Sequence, residues 1–241
     1  MREMRRPSAG RLITGILETL YPSVCPSCSA RTDNLLYSPF CRNCWSMIIP
    51  HRGASCRICA TPFNAAAAGI CGSCIKDPPP FSQVISYGIY DSVLAAAIHA
   101  FKFRKIRRLY KPLGSLMAEL PLPPADAVVA VPLSAACLRE RGFNQSLLLA
   151  KTIAAATRAP LFPDGLLKKG ETLPQIGLTA KERSANLRGA FTAGRSFRGM
   201  NLLLVDDVVT TGATARACAQ ELARAGASRI VVAALARAGT L

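Results

Sequence analysis

The segment from Leu202 to Thr214 constrains the fold more than any other part of the chain. It consists of four apolar residues, two aspartates, two further apolar β-branched residues and the sequence TTGAT. This order is typical of a buried strand, a loop that cradles an anion, and the start of a helix. Gly212 lets the backbone approach a phosphate, and the amides of the following helix offer donors to it. The two carboxylates suit hydrogen bonds to vicinal sugar hydroxyls, and their burial without a ligand or partner would be costly.

Apolar strands and helices alternate through the rest of the chain after residue 80. The expected elements are, in order, a strand after Phe81, helices over Ser92–Phe103 and Leu109–Glu119, a strand over Ala127–Val131, a helix over Asn144–Thr157, a strand over Leu202–Val205, a helix over Ala213–Ala225 and a strand over Ile230–Leu235. Buried strands that alternate with helices form parallel sheets. The sequence therefore predicts an α/β fold with helices on both faces of a parallel sheet, and with ligand loops at the carboxyl ends of its strands.

Cysteines dominate the beginning of the chain, where eight of the ten fall in the first 74 residues. They form four Cys-x-x-Cys pairs: Cys25/Cys28, Cys41/Cys44, Cys56/Cys59 and Cys71/Cys74. Each pair directs two thiolates at one tetrahedral ion, and a second pair completes a closed structural site. A segment this short and polar cannot fold on a hydrophobic core alone. We therefore expect two structural Zn²⁺ ions, each contributing on the order of 10 kcal/mol to folding.

Other uses of cysteine pairs fit this chain less well. Disulfides need an oxidising compartment, to which nothing in the sequence directs the chain. A redox pair would open a helix in a βαβ unit, and a single pair would suffice. Iron–sulfur clusters also use four thiolates and stay open as an alternative to zinc.

The eight paired thiols can be grouped in two ways. Consecutive ribbons would join the first pair with the second and the third with the fourth, whereas an interleaved arrangement would join the first with the third. The near-equal loops inside successive couples, of twelve and eleven residues, favour the consecutive grouping. Cys137 and Cys218 stand alone in apolar surroundings and are expected to be packed small residues. His51 and His99 lack ligand spacing and are given no role.

The chain is strongly basic, with a formal net charge of +16. Between Lys102 and Lys111, six of ten residues are basic and none is acidic. Such a surface favours a polyanion such as single-stranded nucleic acid, and a solvated charged face is the alternative. Basic contacts and interleaved stacking aromatics are expected at Lys102, Arg104, Lys105, Phe103 and Tyr110. Phe101 is instead expected in a core.

Neither a membrane span nor a signal peptide is expected. No stretch reaches the roughly 18 apolar residues that a membrane span needs. The apolar stretch Leu12–Leu20 follows Arg2, Arg5 and Arg6, but Thr14, Glu18 and Thr19 interrupt it and no small-residue cleavage site follows. It is more typical of an amphipathic helix than of a signal peptide, so we expect a cytoplasmic protein.

Proline-rich breaks suggest the domain organisation. Lys76–Phe81 reads KDPPPF, which is a stiff boundary. The expected parts are an N-terminal amphipathic helix over 1–24, a double zinc ribbon over 25–77, and the α/β domain over 81–241. Within that domain, 81–125 would form a helical hood with the basic segment, and 126–241 the ligand-binding core.

The string LLLVDDVVTTGAT resembles the motif that binds phosphoribosyl pyrophosphate (PRPP) in type I phosphoribosyltransferases. The resemblance implies a type I phosphoribosyltransferase-like sheet in which Asp206 and Asp207 bind the ribose hydroxyls. It implies that the 5′-phosphate is bound by Thr210, Thr211, Gly212, Ala213 and Thr214. It also implies Mg²⁺ on the pyrophosphate and ribose oxygens, and a reaction in which pyrophosphate leaves C1 through an oxocarbenium-like state.

Two further segments occupy positions that this family uses. Val131–Ser146 (VPLSAACLRERGFNQS) lies where the family places its pyrophosphate loop, and Thr172–Phe191 (TLPQIGLTAKERSANLRGAF) lies where it places its catalytic loop. The candidates are Arg139 and Arg141 for pyrophosphate, and Gln175 and Arg183 for catalysis. Ordinary surface charge is the alternative for these arginines.

The order of all these features is similar to that of the ComF family of competence-related proteins, over nearly the whole chain. The cysteine pairs are followed by FKFRK, RGFNQ and the PRPP string, and the eight cysteines match the subset with a double zinc ribbon. The resemblance implies a role in natural transformation, with the DNA-uptake machinery and incoming single-stranded DNA as partners. It names no acceptor.

Three functions follow as hypotheses. The first is a PRPP-binding phosphoribosyltransferase-like protein that acts in DNA uptake and contacts single-stranded DNA. The second, a nucleobase-salvage phosphoribosyltransferase, leaves the cysteine-rich module and the basic segment unexplained. The third is a non-catalytic zinc-ribbon nucleic-acid binder for which PRPP is a regulatory ligand.

Overall fold

The structure is a computed structural model that describes residues 24–32, 36–63, 69–169, 187 and 189–239. It divides into two compact units, residues 1–48 and 49–241, so the second cysteine-rich segment belongs to the larger unit. The expected N-terminal helix falls outside the described residues apart from Val24, and both Gln175 and Arg183 lie outside them as well. The domain boundaries near residues 77 and 81 stay predictions.

The described residues of the smaller unit form one short helix, α1 (Arg42–Ser46), and an isolated antiparallel bridge between Val24 and Arg31. Its apolar centre is a small aromatic group. Phe40 is fully buried beside Trp45, whose ring stacks on that of Tyr37 with centroids 5.2 Å apart. The described apolar centre is small, so we expect the cysteines to be the main support of this part of the unit.

A five-stranded parallel sheet forms the centre of the larger unit, in the order β1-β7-β6-β2-β3. Its strands are β1 (Gln83–Ile89), β2 (Ala127–Ala130), β3 (Leu161–Phe162), β6 (Asn201–Val209) and β7 (Arg229–Arg237). A separate antiparallel pair joins β4 (Leu166–Lys168) to β5 (Phe191–Ala193). The central strands are buried on both faces, which explains their continuous apolar sequences.

Helices cover both faces of the sheet. The described helices of the larger unit are α2 (Gly72–Lys76), α3 (Ser92–Lys102), α4 (Tyr110–Ala118), α5 (Ala135–Arg141), α6 (Gln145–Thr157) and α7 (Ala213–Arg224), with a 3₁₀ turn over Arg107–Leu109. Helix α7 packs on β5, β6 and β7, and alternate strand residues such as Val129, Leu204 and Val232 share its core. The residues between them face the other way, toward α4 and α6, which pack together. The predicted α/β fold is confirmed.

Most predicted elements lie within two residues of their observed bounds, and β6 is the instructive exception. This strand runs on through the aspartates to Val209, because β7 continues to pair with it: Asp206 lies opposite Ala234 and Val209 opposite Arg237. Phe101 is fully buried, as expected. None of the described helices has the length and apolar character to cross a membrane.

Candidate ligand-binding site and metal centres

The acidic pair lies inside the fold, near the carboxyl end of β6. Asp206 is 8% and Asp207 2% exposed. The Ser146 hydroxyl, at the start of α6, donates a hydrogen bond to Asp206 Oδ1 at 3.0 Å, and the backbone N–H of Asp207 donates to the same oxygen at 2.9 Å. The N–H of Val208 donates to Asp207 Oδ1 at 2.8 Å. Both carboxylates are therefore held in fixed orientations by neighbouring donors.

Lys102 completes this group from the last turn of α3. Its Nζ lies 2.7 Å from Asp207 Oδ2, and its side chain is 18% exposed. Apart from this ion pair, Asp207 Oδ2 has no hydrogen-bond partner among the described residues. Arg104 and Lys105, by contrast, are exposed. The structure thus separates the three residues proposed to contact nucleic acid, since Lys102 contacts the acidic pair and the other two face solvent.

The pKa of Asp206 is raised by its surroundings. Burial raises the pKa of Asp206 to about 7, and the negative charge of Asp207 acts in the same direction. The positive charge of Lys102 and the hydrogen bonds from Asp207 N–H and Ser146 offset part of this rise. A cation or a hydroxyl donor at this site would stabilise the ionised form of Asp206.

The loop after β6 exposes backbone donors. Thr210 and Thr211 are exposed, and Gly212 has φ +80°, a left-handed conformation that glycine adopts without strain. Helix α7 starts directly after it at Ala213 and has no side-chain cap at Gly212. Ala213 N–H donates to Thr211 Oγ1 at 3.4 Å, and the other first-turn amides offer donors to an anion. The predicted strand, glycine turn and helix start are therefore present, and the binding of an anion there stays a prediction.

The segment from α5 to α6 brings further residues to the acidic pair. The guanidinium of Arg141 lies 5.2 Å from the ring centre of Phe103, one residue beyond Lys102, whereas Arg139 is exposed. Asn144 caps α6 by accepting from Leu147 N–H and ties it to β2 by donating to Val131 O at 3.0 Å. This cap positions the first turn of α6, and with it Ser146, against β6.

Two residues of this site were not recognised as such from the sequence. Ser146 was part of the segment assigned to pyrophosphate, and Lys102 was assigned to nucleic acid. The signal for Ser146 was its place just after the Asn cap at the start of a helix. Nothing local to Lys102 indicates an ion pair with a residue 105 positions later, since Asp207 approaches it only in the folded sheet.

The cysteines form two separate clusters of four. In each cluster the four Sγ atoms lie within 4.8 Å of one another. The first contains Cys25, Cys28, Cys41 and Cys44, and the second contains Cys56, Cys59, Cys71 and Cys74. The consecutive grouping is therefore confirmed. Contacts of 3.6 Å, between Cys28 and Cys41 Sγ and between Cys59 and Cys71 Sγ, match the edge of about 3.8 Å in a Zn²⁺–thiolate tetrahedron.

Each cluster has donors arranged around its sulfurs. In the first, Cys44 N–H donates to Cys41 Sγ at 3.4 Å as α1 begins. In the second, Cys71 N–H donates to Cys56 Sγ at 3.3 Å. Such N–H···S bonds stabilise thiolates and orient metal ligands.

One thiol in each cluster ionises readily. Burial works against ionisation of Cys25, but hydrogen bonds from the backbone around it lower its pKa to about 6. The pKa of Cys59 is also lowered to about 6, since its hydrogen bonds to Thr61 outweigh burial. Both clusters therefore favour metal binding by thiolates, and a set of four sulfurs with no other ligand fits structural zinc.

Comparison with known families identifies both the cysteine-rich part and the α/β part of the chain. Residues 16–75 match the double zinc ribbon domain family, and residues 150–240 match the phosphoribosyl transferase domain family. The sheet, the TTGAT loop and the two cysteine clusters thus define a phosphoribosyltransferase-type α/β protein with a double zinc ribbon. The chain belongs to the ComF family, as its relatives show.

These relatives match most of the chain. DNA utilization protein YhgH of Salmonella typhi is 32% identical over 199 residues, which cover 78% of this chain and 86% of the relative. Competence protein F of Haemophilus influenzae is 32% identical over 181 residues, or 70% and 78% of the two chains. Competence protein ComFC of Bacillus subtilis is 28% identical over 199 residues, or 77% and 78%.

Among solved structures, glutamine PRPP amidotransferase from Bacillus subtilis, in complex with ADP and GMP, is 28% identical over 51% of this chain and 25% of its own. Its TM-score of 0.37 supports no structural argument.

Proposed function

We propose that the chain binds PRPP together with Mg²⁺ at the carboxyl end of β6 and uses it in DNA utilization. The observation that carries this proposal is the buried pair Asp206 and Asp207 shortly before a glycine turn and a helix start without a side-chain cap. Ser146 and Lys102 offset part of the cost of burying two carboxylates there, and the hydroxyls of a ligand or a bound cation would offset more of it. A sugar that carries hydroxyls and a phosphate suits both halves of the site at once.

In this proposal each end of the ligand has its own partners. The ribose hydroxyls donate to Asp206 and Asp207, and the 5′-phosphate accepts from the loop amides and from the hydroxyls of Thr210, Thr211 and Thr214. Gly212 and Ala213 contribute only backbone, because the phosphate must approach closely there. Lys102 pairs with Asp207 and adds positive charge beside the acidic pair.

The pyrophosphate group requires cationic partners from elsewhere in the fold. We assign Arg139 and Arg141 to it, because α5 leads into the α6 start that bonds Asp206. Mg²⁺, when bound with PRPP, would neutralise the leaving pyrophosphate, and carboxylate oxygens such as those of Asp206 and Asp207 suit it chemically. Gln175 and Arg183 are the proposed catalytic residues.

Turnover would transfer the phosphoribosyl group to an acceptor. The C1–O bond to pyrophosphate breaks and its electron pair leaves with pyrophosphate, while an acceptor nucleophile forms a new bond to C1. The chain's contribution is to hold C1 in place and to stabilise the negative charge that leaves.

We further propose contact with single-stranded DNA through the segment after α3. Arg104 and Lys105 are exposed there, and Phe103 is 51% exposed. Basic groups next to an aromatic ring suit a flexible strand with stacked bases. The printed names of the relatives, DNA utilization protein and competence protein, favour this function over the salvage of a free base.

Calorimetry with PRPP, with and without Mg²⁺, tests the ligand assignment. We expect Mg²⁺-dependent binding to the zinc-loaded protein and its loss in Asp206→Asn/Asp207→Asn, which keeps the shape of both side chains. Full PRPP affinity in this double variant would overturn the assignment. Adding a single-stranded oligonucleotide then separates the hypotheses: release of pyrophosphate indicates turnover, whereas altered PRPP affinity without release indicates a regulatory ligand.

A further inference from the structure

Arg237 is a buried arginine at the end of β7 that takes no part in the proposed binding of PRPP. It is 5% exposed, and no carboxylate of the described residues forms an ion pair with it. A buried guanidinium must direct its N–H groups at acceptors, and the identity of those acceptors indicates what the residue does.

On one side, Arg237 binds the second zinc ribbon. Its Nε donates to Cys59 O at 2.8 Å, and its Nη2 donates to Thr61 Oγ1 at 2.7 Å. Thr61 Oγ1 in turn lies 3.0 Å from Cys59 Sγ, which belongs to the second cysteine cluster. A continuous chain of hydrogen bonds therefore joins the guanidinium to a zinc ligand.

On the other side, Arg237 binds the start of the TTGAT loop. Its Nη1 donates to Val209 O at 3.0 Å and also to Thr210 O. These carbonyls belong to the last residue of β6 and the first residue of the loop, directly before the Gly212 turn. The same nitrogen donates to Ala238 O at 2.8 Å, which fixes the end of β7 beside them.

The charge of a zinc-loaded centre explains the choice of arginine. Four thiolates around one Zn²⁺ leave a net charge of minus two. This charge offsets the buried guanidinium, which has no carboxylate partner among the described residues. Because Arg237 bonds Cys59 O and Thr61 Oγ1 on one side and the loop carbonyls on the other, a displacement of the second ribbon would reach the loop through its guanidinium.

We propose that Arg237 is a positioning residue that couples the second zinc centre to the TTGAT loop. Zinc at this centre holds the loop in its described conformation, whereas zinc at the first centre does not. If the loop binds PRPP, as proposed above, the coupling is reciprocal: a ligand on the loop must raise the affinity of the second centre for zinc.

Hydrogen exchange of the full-length, zinc-loaded protein tests the coupling without any ligand. Cys56→Ser removes a ligand of the second centre and should raise exchange of the amides at 210–214 at least tenfold, while Cys25→Ser, in the first centre, should leave them unchanged. Arg237→Met should raise loop exchange with both centres loaded. Arg229→Met, at the exposed start of the same strand, is the matched control.

The double variant Arg237→Met/Cys56→Ser decides between coupling and two separate structural effects. Coupling predicts that its loop exchange equals that of Arg237→Met alone, because the connection is already cut. If the increases in loop exchange caused by the two substitutions multiply in the double variant, the proposal is overturned. If either substitution unfolds the sheet, Thr61→Val keeps the test decisive, since it leaves Arg237 and all cysteines in place. Unchanged loop exchange in Thr61→Val would overturn the proposal.

Equilibrium competition for zinc with a chromogenic chelator tests the coupling in the presence of PRPP. Mg²⁺–PRPP should raise the zinc affinity of the centre that Cys56→Ser abolishes, at least threefold in the wild-type chain and not in Thr61→Val. If the wild-type chain binds no PRPP, the proposed function fails and the exchange measurements still decide the coupling. If PRPP binds and that zinc affinity is unchanged, the coupling alone fails.

Discussion

The two zinc ribbons have the same ligands and different surroundings. The first, around Cys25–Cys44, belongs to the compact unit of residues 1–48 with its own aromatic centre. The second, around Cys56–Cys74, belongs to the unit that contains the sheet. There Val84 N–H of β1 donates to Ile58 O at 2.7 Å, and Arg237 binds Cys59 O. One repeated motif has thus produced a self-contained module and an integral part of an α/β domain.

The spacing of the ligands therefore defines a metal centre but not its role in the stability of the fold. The folding free energy of each zinc ion enters the cooperative unit to which its ligands belong. For the first centre that unit is small, and for the second it includes β1 and β7. The comparison can be tested by perturbing each region and observing the other.

The largest effect is expected from removing one centre at a time. Cys56→Ser/Cys74→Ser should lower the melting temperature of the sheet strongly, because a zinc site contributes on the order of 10 kcal/mol to the unit that it stabilises. Cys25→Ser/Cys44→Ser should leave that transition in place. Far-UV circular dichroism measures the transition, and zinc content should fall by one equivalent in each variant.

Tryptophan fluorescence provides the complementary measurement. Trp45 is the only tryptophan in the chain and stacks on Tyr37 in the first ribbon. Its emission should change in the Cys25/Cys44 variant and stay constant in the Cys56/Cys74 variant. Equal loss of sheet stability in both variants would abolish the distinction between the ribbons.

The pH dependence of stability should also separate the regions. The pKa of Asp206 is raised to about 7 in the fold, above the usual value of about 3.9, so between these values the folded chain holds a proton that the unfolded chain has released. Stability contributed by protonated Asp206 is therefore lost as pH rises through this window, by at most about 1.4 kcal/mol per pH unit. Zinc binding to thiols has the opposite slope, because it releases protons.

Asp206→Asn should remove the loss of stability with rising pH that protonated Asp206 causes. It should leave the opposite slope that zinc binding causes. Urea unfolding in excess zinc, followed by circular dichroism between about pH 5 and pH 7, should show the variant gaining stability relative to the wild type as pH rises. Parallel stability curves for the two proteins would contradict the raised pKa.

A smaller effect is expected at Ser146, which belongs only to the sheet unit. Ser146→Ala removes the hydroxyl that donates to Asp206 Oδ1 and should weaken PRPP binding about tenfold, since a hydrogen bond to a charged group contributes about 1.5 kcal/mol or more. Calorimetry measures the affinity. Ser115→Ala, on the exposed part of α4, should have no effect, and both variants should keep two zinc ions.

The smallest effect is expected on DNA binding. It distinguishes contact through the segment after α3 from contact through the ribbons. Arg104→Ala/Lys105→Ala should reduce the slope of log K against log salt by about 1.4, at about 0.7 per phosphate for single strands. Fluorescence anisotropy of a labelled oligonucleotide measures this slope. The exposed pair Arg198→Ala/Arg229→Ala is the matched control. An unchanged slope in the first variant would move the proposed contact away from this segment, toward the ribbons.

The local parts of the structure were predictable from the sequence. The paired cysteines, the buried strands and the TTGAT helix start all follow from spacing and periodicity within short windows. The two-residue strand β3 and the β4–β5 pair escaped prediction because segments of two or three residues have no usable periodicity.

The long-range contacts were not predictable. The ion pair of Lys102 with Asp207 and the bonds of Arg237 to Thr61 join residues more than 100 positions apart, and only sheet register brings them together. In the sequence Lys102 belongs to a basic run, and Arg237 follows an apolar strand like any surface arginine. Both residues reach their partners because β6 and β7 extend beyond their apolar cores.

The order of the strands has a consequence for synthesis on the ribosome. β7 lies between β1 and β6, yet it follows both in the chain. Until Arg229–Arg237 has emerged, β1 and β6 each present an unpaired edge, which is prone to aggregation. All eight paired cysteines emerge long before that point, so zinc can load while the sheet is still open. Translation that stops before β7 would therefore release a metal-loaded chain with two exposed strand edges, a natural substrate for chaperones and proteases.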